Sequence, residues 1–91
     1  MSLFARFVRW LRGPSLDELA PIVRSMLFIN KPGRVLREDL KRLGMRFSAV
    51  GFYRRMAELE ERGVVRGYYE INTVDGQVLK KRWYAKASIR V

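Results

Sequence analysis

Residues 44–65 read G-M-R-F-S-A-V-G-F-Y-R-R-M-A-E-L-E-E-R-G-V-V, and this stretch decides the fold. Ala49, Phe52, Met56 and Leu59 recur at helical spacing and supply one apolar face. Ser48 stands where a side-chain oxygen caps a helix start. Gly63 stands where the left-handed conformation, cheap for glycine, ends one. The charges are sorted: Arg46, Arg54 and Arg55 at the front, Glu58, Glu60 and Glu61 at the back. Such a helix holds its N-terminal half toward a polyanion and its C-terminal half away from one.

Immediately upstream, Val35 to Leu43 (V-L-R-E-D-L-K-R-L) places Val35, Leu36, Leu40 and Leu43 on one side of a second helix. Gly44-Met45-Arg46-Phe47 joins the two helices too tightly for an antiparallel pair, which is the signature of a helix-turn-helix. From Leu27 to Val65 the order is an apolar helix end (M-L-F-I-N), a Gly-containing turn (K-P-G-R-V), a helix, a turn and a helix closing on L-E-E-R-G-V-V. This segment resembles the winged helix-turn-helix family, in the style of the MarR and PadR transcriptional regulators. The resemblance implies an α+β fold: a three-helix core plus a C-terminal β-hairpin wing over residues 15–91, with an extra amphipathic helix over residues 1–14. The pattern is shared family-wide and specifies a fold better than a task.

Downstream of Gly63 the period changes from 3.6 to 2. Residues 64–74, Asp75-Gly76 and residues 77–90 read as a β-hairpin, since Asp-Gly suits a two-residue turn with positive φ at both positions. Leu79, Trp83, Ala85, Ala87 and Ile89 fall on one side of the second strand; Lys80, Arg82, Tyr84, Lys86 and Arg90 fall on the other. A two-residue turn sets Glu70 opposite Lys81 and Tyr68 opposite Trp83. Lys80, Lys81 and Arg82 read as a basic tip for phosphates or a minor groove. The competing explanation is edge strands that carry lysine to discourage aggregation.

Upstream, Ser15-Leu16-Asp17-Glu18 is a capping box that starts a helix at about residue 16. Pro21 falls in its second turn and removes one amide donor. Leu19, Ile22, Val23, Met26, Leu27 and Ile29 read as its core face, Lys31-Pro32-Gly33 as its end, and Arg34-Val35 as a minimal first strand. Residues 2–12 are amphipathic: Leu3, Phe4, Phe7, Val8 and Leu11 on one face, Arg6, Arg9 and Arg12 on the other. Three readings fit that segment. It is a helix covering the core or pairing two subunits, a basic membrane-surface helix, or a docking helix. It is too short and too charged for a membrane span, and its arginines interrupt any signal-peptide core.

Ninety-one residues suit one small domain whose core is marginal alone, so a dimer or an added helix would help. The chain has no cysteine and no histidine, which excludes disulfides, Cys/His zinc sites and histidine-based catalytic triads. No phosphate-binding G-x-x-x-x-G-K-[ST] loop occurs, and nothing in the sequence points to an enzyme, a metal or a cofactor. Net charge is +10, and arginine, whose planar fork suits phosphate and guanine, outnumbers lysine 14 to 5. The excess sits in residues 1–14, 34–47 and 64–91, while residues 15–33 and 48–63 are neutral. A charge that large and that uneven implies a polyanionic partner.

Taken with the resemblance, these features imply a sequence-specific double-stranded DNA-binding protein, a small homodimeric regulator of transcription. It would be cytoplasmic and nucleoid-associated, with no obligatory small-molecule ligand. The helix of residues 48–62 would enter the major groove, with Ser48, Tyr53 and Arg54 at or near the bases. Arg37, Lys41, Arg42, Arg46, Arg55, Lys80, Lys81 and Arg82 would hold phosphates. Leu3, Phe4, Phe7, Val8 and Leu11 would form the dimer contact. The alternatives are a protein-interaction adaptor and a non-specific chromatin or DNA-partition protein. Glu38 with Arg42 also reads as no more than an i,i+4 surface pair.

Overall fold

The computed structural model describes residues 13–87. They form helix α1 (Leu16–Met26), strand β1 (Lys31–Pro32), helices α2 (Gly33–Arg42) and α3 (Ala49–Glu61), and strands β2 (Val65–Val74) and β3 (Gln77–Lys86). The architecture is α+β: three helices and a three-stranded antiparallel sheet in the order β1-β3-β2. The helix expected at the N-terminus, with its dimer face Leu3, Phe4, Phe7, Val8 and Leu11, lies outside the described residues.

Local chemistry sets the boundaries. Ser15 Oγ accepts from the Glu18 amide at 3.3 Å and starts α1, which continues through Pro21. Ser48 Oγ accepts from the Gly51 amide at 3.0 Å and starts α3. Helices α2 and α3 end alike. Past α2, Gly44 (φ +88°) donates to Lys41 and Met45 to Leu40; past α3, Gly63 (φ +76°) donates to Glu60 and Val64 to Leu59. Each pair of bonds satisfies two carbonyls that the helix leaves free and reverses the chain within one residue, which is the Schellman geometry. At the far end of the hairpin Asp75 (φ 51°) and Gly76 (φ 78°) both adopt positive φ, as a two-residue turn requires. The register follows: Glu70 pairs with Lys81 and Tyr68 with Trp83.

The core lies where the three helices meet the base of the sheet. Leu19 and Val23 of α1, Leu36 and Leu40 of α2, and Phe52, Met56 and Leu59 of α3 are fully buried, closed over by Leu27, Val65 and Tyr84. Phe52 is the hub, with Phe47, Tyr53 and Tyr84 rings at 5.5, 4.9 and 6.3 Å. Several residues assigned to this core by periodicity are exposed instead. Ile29 is 59% and Leu43 60% exposed, and Val35 and Ala49 also face solvent. Ile29 lies beyond the end of α1, where helical phase no longer applies. The other three flank buried stripes that a body this small has no further layer to cover.

The first strand is also displaced. It is Lys31–Pro32, paired with Tyr84 and Trp83, not Arg34–Val35, which belong to α2. Pro32 occupies the N-cap of α2 in extended backbone, so the helix claims everything from Gly33 onward. Lys31 Nζ is fixed by Asp39 Oδ2 at 2.7 Å, which ties β1 to α2. The two sides of the hairpin alternate as expected, but the side packed on the helices is the one carrying Tyr84, Arg82 and Lys80. Trp83 lies on the other side, stacked on Tyr68 at 6.4 Å.

Candidate functional site

Three surfaces converge beside α3: the first turn of α2, the front half of α3 and the helix-facing side of the hairpin. Tyr53 links the first two. Its ring rests on Gly33, where an added Cβ would fall 2.9 Å from it. Tyr53 is 38% exposed and forms one wall of an open cleft of about 320 Å³, together with Ala57, Tyr69, Arg82 and Tyr84. The cleft therefore lies between α3 and the hairpin. Arg54 follows Tyr53 on the exposed stripe that also carries Val50 and Ala57.

The predicted cations separate into two classes. Arg55 is committed internally: its Nε donates to the Pro14 carbonyl and its Nη1 to the Gly51 carbonyl, both at 3.0 Å, and its guanidinium lies over Phe47. It fastens residues 13–14 to α3 and does not present its fork outward. The glycine at position 51 has its reason here, since a Cβ would lie 3.0 Å from the Arg55 guanidinium and 3.2 Å from Ser48 Oγ.

Arg82 is committed as well. Its guanidinium is 2.8 Å from Glu60 Oε2 on α3 and lies over the rings of Tyr69 and Tyr84. Burial works against its charge, but Tyr84, Glu60 and Tyr69 outweigh it and hold the guanidinium above its ordinary range. Burial likewise pushes the Tyr84 phenol above its usual value, an effect Arg82 partly offsets.

Two of the cations of helix α2 are paired within the helix. Arg42 pairs with Asp39 at 3.3 Å and Lys41 with Glu38 at 3.8 Å, so the one-turn pairs run i,i+3 and the Glu38–Arg42 pair does not form. The Arg37 Nε is enclosed without a hydrogen-bond partner among the described residues. These contacts at the surface are weak, and Arg42 stays largely exposed.

Arg46, Arg54 and Lys80 remain exposed with no ion pair among the described residues, and so does Arg34, which the sequence reading left out. Arg34 sits in the first turn of α2, a helix with no acidic residue there and no side-chain cap. Its amides add to the positive end of the helix dipole. Lys80 shares the helix-facing side with Arg82, two residue pairs farther from the core. Lys81 is on the opposite side, over the Trp83 ring at 5.4 Å. None of Lys80, Lys81 and Arg82 is at the tip, which is Asp75-Gly76; they occupy the middle of β3. The Ser48 hydroxyl is exposed but already accepts the Gly51 amide.

Of the α3 carboxylates, one stands beside the cleft and two do not. Glu58 and Glu61 are exposed on the back half of α3, and Glu60 faces Arg82. Tyr69, Tyr84 and Ala57 were missed as site residues. The hairpin register does place Tyr69 opposite Arg82, so the turn already carried that signal. Among the described residues no group of carboxylates, cysteines or histidines is arranged to hold a metal ion, and no helix is long and apolar enough to cross a membrane. Comparison with protein-family models, with curated proteins and with solved structures returns no significant match, so geometry alone carries the functional reading.

Proposed function

We propose that this chain is a winged-helix protein that binds double-stranded DNA sequence-specifically, as a small homodimeric regulator of transcription. Helix α3 enters the major groove and the β2–β3 hairpin acts as the wing on the backbone or minor groove. One observation carries this reading. The elements run α-β-α-α-β-β with strand order β1-β3-β2, and among the exposed cations with no ion pair among the described residues are Arg34 on α2, Arg46 in the turn, Arg54 on α3 and Lys80 on the helix-facing side of the hairpin. The acidic residues of α3 stand on its back half, with none in its first turn, and Glu60 among them is taken up by Arg82 beside the cleft. This is the polarity that lets a recognition helix point its N-terminal residues at base edges.

Within this reading Arg54 is the residue best placed for a guanine edge, with Val50 and Tyr53 beside it for a thymine methyl or a sugar. Arg34, Arg46 and Lys80 hold phosphates, which position the protein without selecting sequence. A homodimer would present two such helices to half-sites about 34–36 Å apart. The dimer contact would come from the amphipathic N-terminal segment.

Selection of bound sequences from a random duplex pool tests the proposal. A defined motif supports a sequence-specific regulator. Recovery of duplexes without a motif reduces the reading to a non-specific chromatin or partition protein, and no recovery removes duplex binding altogether. Arg54→Ala is expected to relax preference at one base position, costing about 1–3 kcal/mol there, whereas Lys80→Ala weakens all duplexes alike.

A second reading draws on a different observation. Ile71, Val74, Val78 and Leu79 are all at least half exposed in the outer hairpin, which suits a protein-interaction adaptor. A partner retained after nuclease treatment, with no retardation of duplex DNA, would favour it.

A further inference from the structure

Beyond its base, the hairpin has little to hold it. Strand β1 covers only Tyr84 and Trp83 of β3, so the outer part is two-stranded, and a two-stranded ribbon is marginal in water by itself. One polar contact crosses from the hairpin to α3 among the described residues: Arg82 Nη2 to Glu60 Oε2 at 2.8 Å. It is a built contact. The guanidinium also lies over the rings of Tyr69 and Tyr84, 4.7 and 5.4 Å from their centres. Gly67, beside them on β2, leaves the space. A Cβ there would collide with the Arg82 guanidinium and lie 2.7 Å from Glu60 Oε2. The backbone at Gly67 has no positive φ, so no conformational need explains this glycine; the room it makes does.

We infer that the Arg82–Glu60 pair, seated over Gly67, is a positioning clamp that sets the angle between hairpin and recognition helix. It thereby sets the spacing at which both meet a duplex. This rests on the duplex-binding reading above. It reverses the role expected for Arg82, which acts through α3 and does not touch phosphate. It also assigns a role to Glu60, a carboxylate whose charge alone would oppose DNA.

That opposition makes the test decisive in sign. If Arg82 were a phosphate contact held back by its partner, Glu60→Ala would release it, and losing a negative charge would tighten duplex binding. The clamp predicts the opposite: Glu60→Ala weakens binding about tenfold or more, Arg82→Ala weakens it by a similar factor, and the double variant is no worse than either single one. Glu60 and Arg82 lie outside the fully buried core, so the variants are expected to fold, which a cooperative thermal melt verifies.

A second readout needs no DNA. The chain has no native cysteine, so spin labels at Glu61→Cys and Gln77→Cys report the helix-to-tip distance cleanly. One narrow distance distribution is expected with the clamp intact, and a broadened one in Glu60→Ala and Arg82→Ala. Unchanged distances in both variants overturn the clamp, whatever DNA does. Broadened distances with binding equal to or tighter than the parent chain overturn its role in recognition. A parent chain that binds no duplex, with distances that broaden as expected, refutes the duplex reading and leaves the clamp standing.

Discussion

The helical body and the hairpin are held by different physics. In the body, Phe52, Leu36, Leu40, Leu19 and Leu59 are sealed from water, and burial of apolar surface is the main stabilising term. In the hairpin most side chains beyond Tyr84 are exposed, and the fixed contacts are charges and rings: Arg82 with Glu60, Lys81 over Trp83, Tyr68 stacked on Trp83, Arg66 over Tyr68. Burial is non-directional and gives a stable mass. Ion pairs and ring contacts contribute less but fix direction. The body therefore sets whether the chain folds, and the hairpin contacts set how one part is aimed.

Substitutions separate the two. Phe52→Ala removes the hub and should cost about 3–5 kcal/mol, enough to abolish the cooperative thermal transition of so small a domain. A folded variant with a normal melt would mean the body does not depend on its core in this way. Gly67→Ala should cost less, about 1–3 kcal/mol, because the new methyl expels Arg82 from Glu60 while the helical core persists. Denaturant unfolding measures the loss, and an unchanged midpoint would show that the seat has slack. Ser48→Ala should cost about 1 kcal/mol through the lost cap at the start of α3, with Ser48→Asp retaining most of the stability.

A fourth test uses pH. The Tyr84 phenol is raised above its ordinary value of 10.0 by burial, so folding favours its neutral form. Its contribution is fully present below about pH 10 and is lost as pH rises through the folded value. Thermal midpoints should fall on alkaline titration in that window, and Tyr84→Phe should flatten the fall. The smallest effect belongs to Arg62, whose 3.3 Å pair with Asp17 joins two exposed side chains; Arg62→Ala should change stability by less than about 1 kcal/mol.

The two regions also differed in how far sequence reached. Ser15, Ser48, Gly63 and Asp75-Gly76 are local signals, and the caps, the end of α3 and the hairpin register all follow from them. Periodicity located the buried stripes of α2 and α3 but not their edges, so Val35, Leu43 and Ala49 were misplaced. Whether a flanking residue is covered depends on a neighbouring element, which helical spacing does not contain. The roles of Arg55 and Arg82 were hidden for the same reason. An arginine bound to Pro14 or to Glu60 reads identically to a free one until the chain has folded. Glycine offered the clue: Gly51 and Gly67 each stand where an arginine needs room, in elements that otherwise disfavour glycine.

The most direct measurement of duplex recognition is affinity for a DNA duplex as a function of salt. One phosphate each for Arg34, Arg46, Arg54 and Lys80, at a slope of about −0.9 for each phosphate neutralised, predicts that log K falls linearly with log salt at about −3.6 or steeper. A flat response, or no association at low salt, would contradict the assignment of that surface to DNA.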